Sequence, residues 1–136
     1  MISSVSRNII SVLYKDNEHK EGNILAITGP MFSGKTTRLI EMFVSEKSEK
    51  KLVIKPKIDN RYSATEIVSH DKQCLDAEII DSLDELKAKS IDMDHIFIDE
   101  MQFFDKEFVP YLAQLADNGK KVTVSGLNLN LSLIHI

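Results

Sequence analysis

Gly29 and Gly34 frame Pro30, Met31, Phe32 and Ser33, and Lys35, Thr36 and Thr37 follow, so the stretch satisfies the spacing G-x-x-x-x-G-K-[ST]. Glycines at those two places let backbone N–H groups converge on phosphate oxygens, and a helix starting at the loop adds the positive end of its dipole. There a Lys35 ammonium reaches the outer phosphates of ATP, and a Thr36 hydroxyl sits on Mg²⁺. The other half of such a site is an acid at the end of a nearby strand. HIFIDE supplies it as Asp99, after a run dominated by apolar side chains. Glu100, the next residue, is placed either to position a water or to take the proton of an attacking hydroxyl. These residues alone do not separate an ATPase from a kinase.

Alternating strands and helices must hold these groups. NILAIT (Asn23–Thr28) is a short apolar run before the loop, and the stretch at 36–47 puts Leu39, Ile40, Phe43 and Val44 on one helical face. Residues 51–55 read as the next strand. Residues 56–73 have no helical period, and Pro56, Asp59 and Asn60 mark a loop. Residues 77–80 form a short strand, and Ser82 with Glu85 is a capping box that opens a helix. A strand at 95–99 ends in acid. A helix at 105–119 closes at Asn118-Gly119, with Pro110 tolerable only near its first turn. Residues 121–126 are the last clear strand. Strands separated by helices imply parallel pairing, so the fold class is α/β with a mainly parallel sheet flanked by helices.

The 136 residues suffice for one packed domain, and 43% hydrophobic with 28% charged residues is ordinary globular usage. A net charge of −4 argues against a nucleic-acid backbone as the main partner. No apolar run approaches the roughly 18–20 residues of a membrane helix. The single cysteine, Cys74, excludes an internal disulfide and a multi-cysteine zinc site within this sequence, and it fits a reducing, cytoplasmic setting. Residues 1–22 are Ser-rich, with no acid before Asp16, and read as a flexible N-terminal extension. His70 and His95 are not paired at metal spacing and read as polar loop and strand-end residues.

Four stretches in register, GPMFSGKT, KPKIDNRYS, SHD and DEMQFF, closely resemble the type II, zinc-bearing thymidine kinases, and the likeness runs over residues 23–130. It implies a P-loop NTPase-type kinase domain that transfers the γ-phosphate of ATP to the 5′-hydroxyl of thymidine or deoxyuridine, in deoxynucleoside salvage. Carried over by motif, Lys35 and Thr36 keep the roles above, Asp99 is the magnesium-linked acid and Glu100 the base. Asp59 and Arg61 match an Asp-x-Arg beside the transferring phosphate. Asp59 would lie on the Mg²⁺ side, and Arg61 would offset charge on the equatorial oxygens. Met31, Phe103 and Leu127 match nucleoside contacts. ATP and thymidine are the implied partners, with no nucleic acid or membrane, in a homotetramer where the protein is complete. The residues by themselves also fit plainer assignments, with Asp59 and Arg61 a solvated loop pair and Met31 and Phe103 core. The rival functions are a P-loop ATPase of the recombinase or motor type and a non-catalytic nucleotide-binding chain.

Past the last strand the family pattern continues Gly/Ala-Leu-Asp, two residues and a Phe, then a lasso held by zinc on two Cys-x-x-Cys pairs. Here Gly126-Leu127 fits, Asn128 stands where Asp is usual, and the Phe, the lasso and its cysteines are missing, leaving no zinc ligands. The last residues, LSLIHI, are what CTGTCTCTTATACACATC encodes, the transposon-end adapter of sequencing libraries. The expectation is therefore a non-native tail at 131–136 on a C-terminally truncated kinase domain. Such a chain is expected to bind ATP–Mg²⁺ weakly and to phosphorylate thymidine poorly.

Overall fold

In the computed structural model, the residues described are 2–5, 10–16, 22–30, 34–57, 66–68 and 74–127. The strands are β1 (Ile2–Val5), β2 (Ile10–Asp16), β3 (Asn23–Thr28), β4 (Lys51–Pro56), β5 (Glu66–Val68), β6 (Cys74–Asp76), β7 (Glu78–Ile80), β8 (His95–Ile98) and β9 (Lys121–Gly126). The helices are α1 (Lys35–Ser45), α2 (Leu83–Ser90) and α3 (Phe108–Asp117), with a 3-10 turn at Met101–Phe103. The main sheet runs β1-β2-β3-β9-β8-β4-β7. The block from β3 to β7 is parallel, and β1 and β2 add antiparallel strands at the β3 edge. The α/β reading with a mainly parallel sheet holds.

The central strands are continuous apolar runs because both their faces are covered. All four residues of β8 are buried, as are the middle four of β3. Side chains alternate between the faces. Leu25, Ile27, Val53 and Phe97 pack against Leu39 and Ile40 of α1. Ile24, Ala26, Ile54, Ile96, Ile98, Val122 and Val124 meet Leu86 of α2 and Phe108, Leu112 and Leu115 of α3 on the other face. Fully burying one such side chain is worth about 1.5–3 kcal/mol, so each helix is held mainly by its apolar stripe.

The helix signals work as read. The Ser82 hydroxyl accepts the Glu85 N–H at 3.3 Å. Pro110 falls in the first turn of α3, where its missing N–H has no helical partner to lose. Beyond α3, Gly119 takes φ +90°, and the N–H groups of Gly119 and Lys120 return to the carbonyls of Ala116 and Leu115, both at 3.0 Å. That paired closure needs a left-handed residue, which glycine adopts without steric cost.

The structure departs from the sequence reading in two places. Before Asn23, where no element is anticipated, it has β1 and β2. Ile10, Val12 and Tyr14 alternate with Ser11, Leu13 and Lys15, a period-two pattern masked by the serine content. Within and after the expected loop at 56–73, β5 pairs antiparallel with β6, which begins at Cys74.

Candidate active site

Strands β3, β4, β8 and β9 run parallel and deliver their carboxyl ends to one edge of the sheet. In open parallel sheets that edge is where ligands bind. Gly29 and Pro30 leave β3 there, and Gly34, at φ +95°, turns the chain into α1. A side chain at that φ would cost about 1–2 kcal/mol, so the second glycine of the loop is a backbone requirement. The first turn of α1 holds no acidic residue, and no side chain caps it, so nothing there neutralises its positive end. The Lys35 ammonium donates to the Pro30 carbonyl at 2.6 Å and so lies back over the loop. Burial pulls its pKa down, and the charges of Asp99 and Glu100 pull it up, so Lys35 sits in the field of both carboxylates. Thr36 and Thr37 follow in the same turn, both half-buried.

Across the edge, the Asp99 N–H continues the ladder to the Ile54 carbonyl at 3.0 Å, one residue beyond β8. Asp99 is only 8% exposed. Burial, and then the charge of Glu100, push its carboxyl up to about 6, partly offset by the Glu100 N–H it accepts at 3.0 Å and by Lys55 and Lys35. Glu100 is the one non-glycine among the described residues with positive φ, at 52°. Glutamate has no local reason to sit there, and such strain clusters at functional sites. The 3-10 turn follows, with Met101 buried in the core and Phe103 48% exposed. Gln102 Oε1 accepts the Leu127 N–H at 3.0 Å and so ties the end of β9 to this turn.

β9 lies between β3 and β8. The root of the loop and Asp99 are therefore two strand spacings apart, roughly 10 Å. That gap accommodates the outer phosphates of a nucleotide and a cation. Among the described residues no three His, Cys, Asp or Glu side chains converge. A divalent cation here would rest on the Asp99 carboxylate and the Thr36 hydroxyl, hard oxygen donors of the kind Mg²⁺ takes alongside water and phosphate.

Of the residues singled out from sequence, Gly29, Pro30, Gly34, Lys35, Thr36, Thr37, Asp99, Glu100, Phe103 and Leu127 all lie at this edge. Met31, Phe32, Ser33, Asp59, Arg61 and His70 lie outside the described residues. Phe103 is half exposed and not core. Gln102 received no role from sequence, because a glutamine in a turn carries no signal of its own. Its partner is distant in the chain. His95, read as a polar strand-end residue, is buried at the opposite edge, where Nδ1 meets Glu46 Oε1 at 2.6 Å and Nε2 meets Thr123 Oγ1 at 2.7 Å. No helix among the described residues is long and apolar enough to cross a membrane.

A glycine-framed loop facing a buried strand-end carboxylate across one intervening strand defines an α/β protein of the phosphate-loop nucleotide-binding class. Comparison with known sequences narrows the class. A thymidine kinase family model matches residues 22–132, and the chain belongs to the thymidine kinase family. It is similar to the thymidine kinase of Mycoplasma capricolum (43% identity over 120 residues, 82% of this chain). It is also similar to those of Porphyromonas gingivalis (38% over 121 residues, 85% of this chain) and Bacteroides fragilis (38% over 125 residues, 88% of this chain). The chain spans 57%, 59% and 63% of the lengths of these relatives.

Proposed function

We propose that this site transfers the γ-phosphate of ATP to the 5′-hydroxyl of thymidine or deoxyuridine. The observation that carries the reading is the thymidine kinase family match over residues 22–132, joined to the placement of Lys35 in the field of Asp99 and Glu100. The loop N–H groups and the α1 N-terminus hold the phosphates, and Lys35 swings from the Pro30 carbonyl to the β- and γ-phosphates. Asp99 and Thr36 would hold Mg²⁺, which would supply positive charge against the phosphates. The Glu100 carboxylate takes the proton of the 5′-hydroxyl as its oxygen bonds to the γ-phosphorus. The bond from that phosphorus to the bridging oxygen breaks, and ADP leaves.

Phe103 and Leu127, tied together through Gln102, form part of the nucleoside wall, to which Met31 also belongs by motif. Arg61 stabilises charge on the transferring phosphate, and Asp59 stands on its cation side. These last three roles rest on the motif resemblance. Family kinship also supports ATP and thymidine as substrates in the cytoplasm, and a homotetramer for the complete protein.

Titration with ATP–Mg²⁺, followed by ADP release with and without thymidine, tests the reading. The wild-type chain is expected to bind ATP–Mg²⁺ weakly and to release ADP slowly, and only when thymidine is present. Glu100→Gln should keep the binding and lose the release. Thymidine-independent hydrolysis would instead make Glu100 a water-positioning residue, and the site that of an ATPase.

A further inference from the structure

Buried hydroxyls in folded proteins have partners, and each exception calls for a physical reason. Among the described residues Ser125 Oγ is the exception, because it is buried and hydrogen-bonded to nothing. Ser125 is 1% exposed and lies near the carboxyl end of β9, the strand between the loop strand and the acid strand. It pairs with Ile27 on one side. On the other, Val124 pairs with Ile98, so continuing the register by one residue sets Ser125 beside Asp99.

The face is also fixed. Thr123, two residues earlier, bonds His95 on the side of the sheet that α1 covers, where Phe97 packs on Leu39 and Ile40. Alternation puts Ser125 on that side too. Its hydroxyl therefore lies in the row between the loop strand and Asp99, beneath the end of α1 that carries Lys35 and Thr36.

We propose that Ser125 is a positioning residue of the phosphate site, its hydroxyl donating a hydrogen bond to an oxygen that arrives with the nucleotide. That oxygen belongs to the terminal phosphate or to a water on the accompanying cation. The proposal rests on the nucleotide reading of the site and adds a residue to it. An orphaned hydroxyl weakens the nucleotide-free fold and is satisfied only in the loaded state, so removing it should move stability and affinity in opposite directions.

The test is calorimetric titration of ATP–Mg²⁺ and ADP–Mg²⁺ into wild type, Ser125→Ala and Ser125→Thr, with unfolding temperatures measured without nucleotide. Ser125→Ala should unfold at the wild-type temperature or above, yet bind ATP–Mg²⁺ about 5- to 30-fold more weakly. Ser125→Thr, which keeps the hydroxyl, should recover much of that affinity. A loss confined to ATP identifies the terminal phosphate as acceptor, and a loss shared by ADP identifies the cation's water. Equal ATP–Mg²⁺ affinity in wild type and Ser125→Ala overturns the proposal and leaves the nucleotide reading standing. So does a lower unfolding temperature for Ser125→Ala, which would make the hydroxyl structural. A wild-type chain that binds neither nucleotide overturns both.

Discussion

Thr123 and Ser125 sit two residues apart on β9, face the same helix and are equally buried, each 1% exposed. Thr123 Oγ1 shares a hydrogen bond with His95 Nε2, while Ser125 Oγ has no partner among the described residues. The contrast extends to the ends of the sheet that each belongs to. At the amino edge polar groups are paired off, with both His95 nitrogens bonded and the Lys120 ammonium donating to the carbonyls of Ser90, Ile91 and Met93. At the carboxyl edge Asp99 is buried against its own ionisation, Glu100 holds a left-handed backbone and Ser125 is orphaned. A fold keeps such tension where a ligand will relieve it and removes it elsewhere.

The largest effect that separates the two edges is expected at Glu100. Glu100→Gln should lower thymidine-dependent turnover by about 10²- to 10⁴-fold, the usual loss for a general base. Its unfolding midpoint should stay close to wild type, as steady-state assays and urea unfolding on one preparation would show. Asp99→Asn comes next and carries the opposite sign for stability. A carboxyl held up to about 6, against an ordinary 3.8, makes folding less favourable as pH rises from 3.8 to 6. The penalty above pH 6 is on the order of 2–3 kcal/mol and is absent below 3.8.

The mirror experiment is Thr123→Val, which keeps the shape and removes a satisfied hydroxyl. It should cost about 1–2 kcal/mol in urea unfolding and leave ATP–Mg²⁺ affinity unchanged. The smallest effect is the acid response of the amino edge. Burial holds the His95 pKa below its usual 6.5, so its contribution is complete above that pH and declines as pH falls through it. The hydrogen bond to His95 holds Glu46 below 4.5, and that contribution is lost only in more acid solution. Replacing His95 with Gln should flatten the stability slope just below pH 6.5.

The carboxyl edge was largely legible in sequence, and the reasons are local. Strand, glycine loop, lysine and helix follow one another directly, and a strand buried on both faces writes HIFI as an unbroken apolar run ahead of Asp99. What stayed hidden depends on contacts distant in the chain. Gln102 and Leu127 meet across 25 positions, and His95 and Glu46 across 49. Ser125 became notable only once β9 was seen to run between β3 and β8. The left-handed backbone of Glu100 had no signal either, since glutamate does not favour it. β1 and β2 were missed because serines diluted their alternation, and β5 because three residues are too short for any period to register.

The most direct test of the difference between the edges is urea unfolding of Asp99→Asn against wild type, without nucleotide, at pH 8 and again at pH 3.5. The account predicts that the asparagine variant is the more stable protein at pH 8 and equals wild type at pH 3.5. A variant less stable than wild type at pH 8 would contradict it, because Asp99 would then be holding the fold together and not waiting for a ligand.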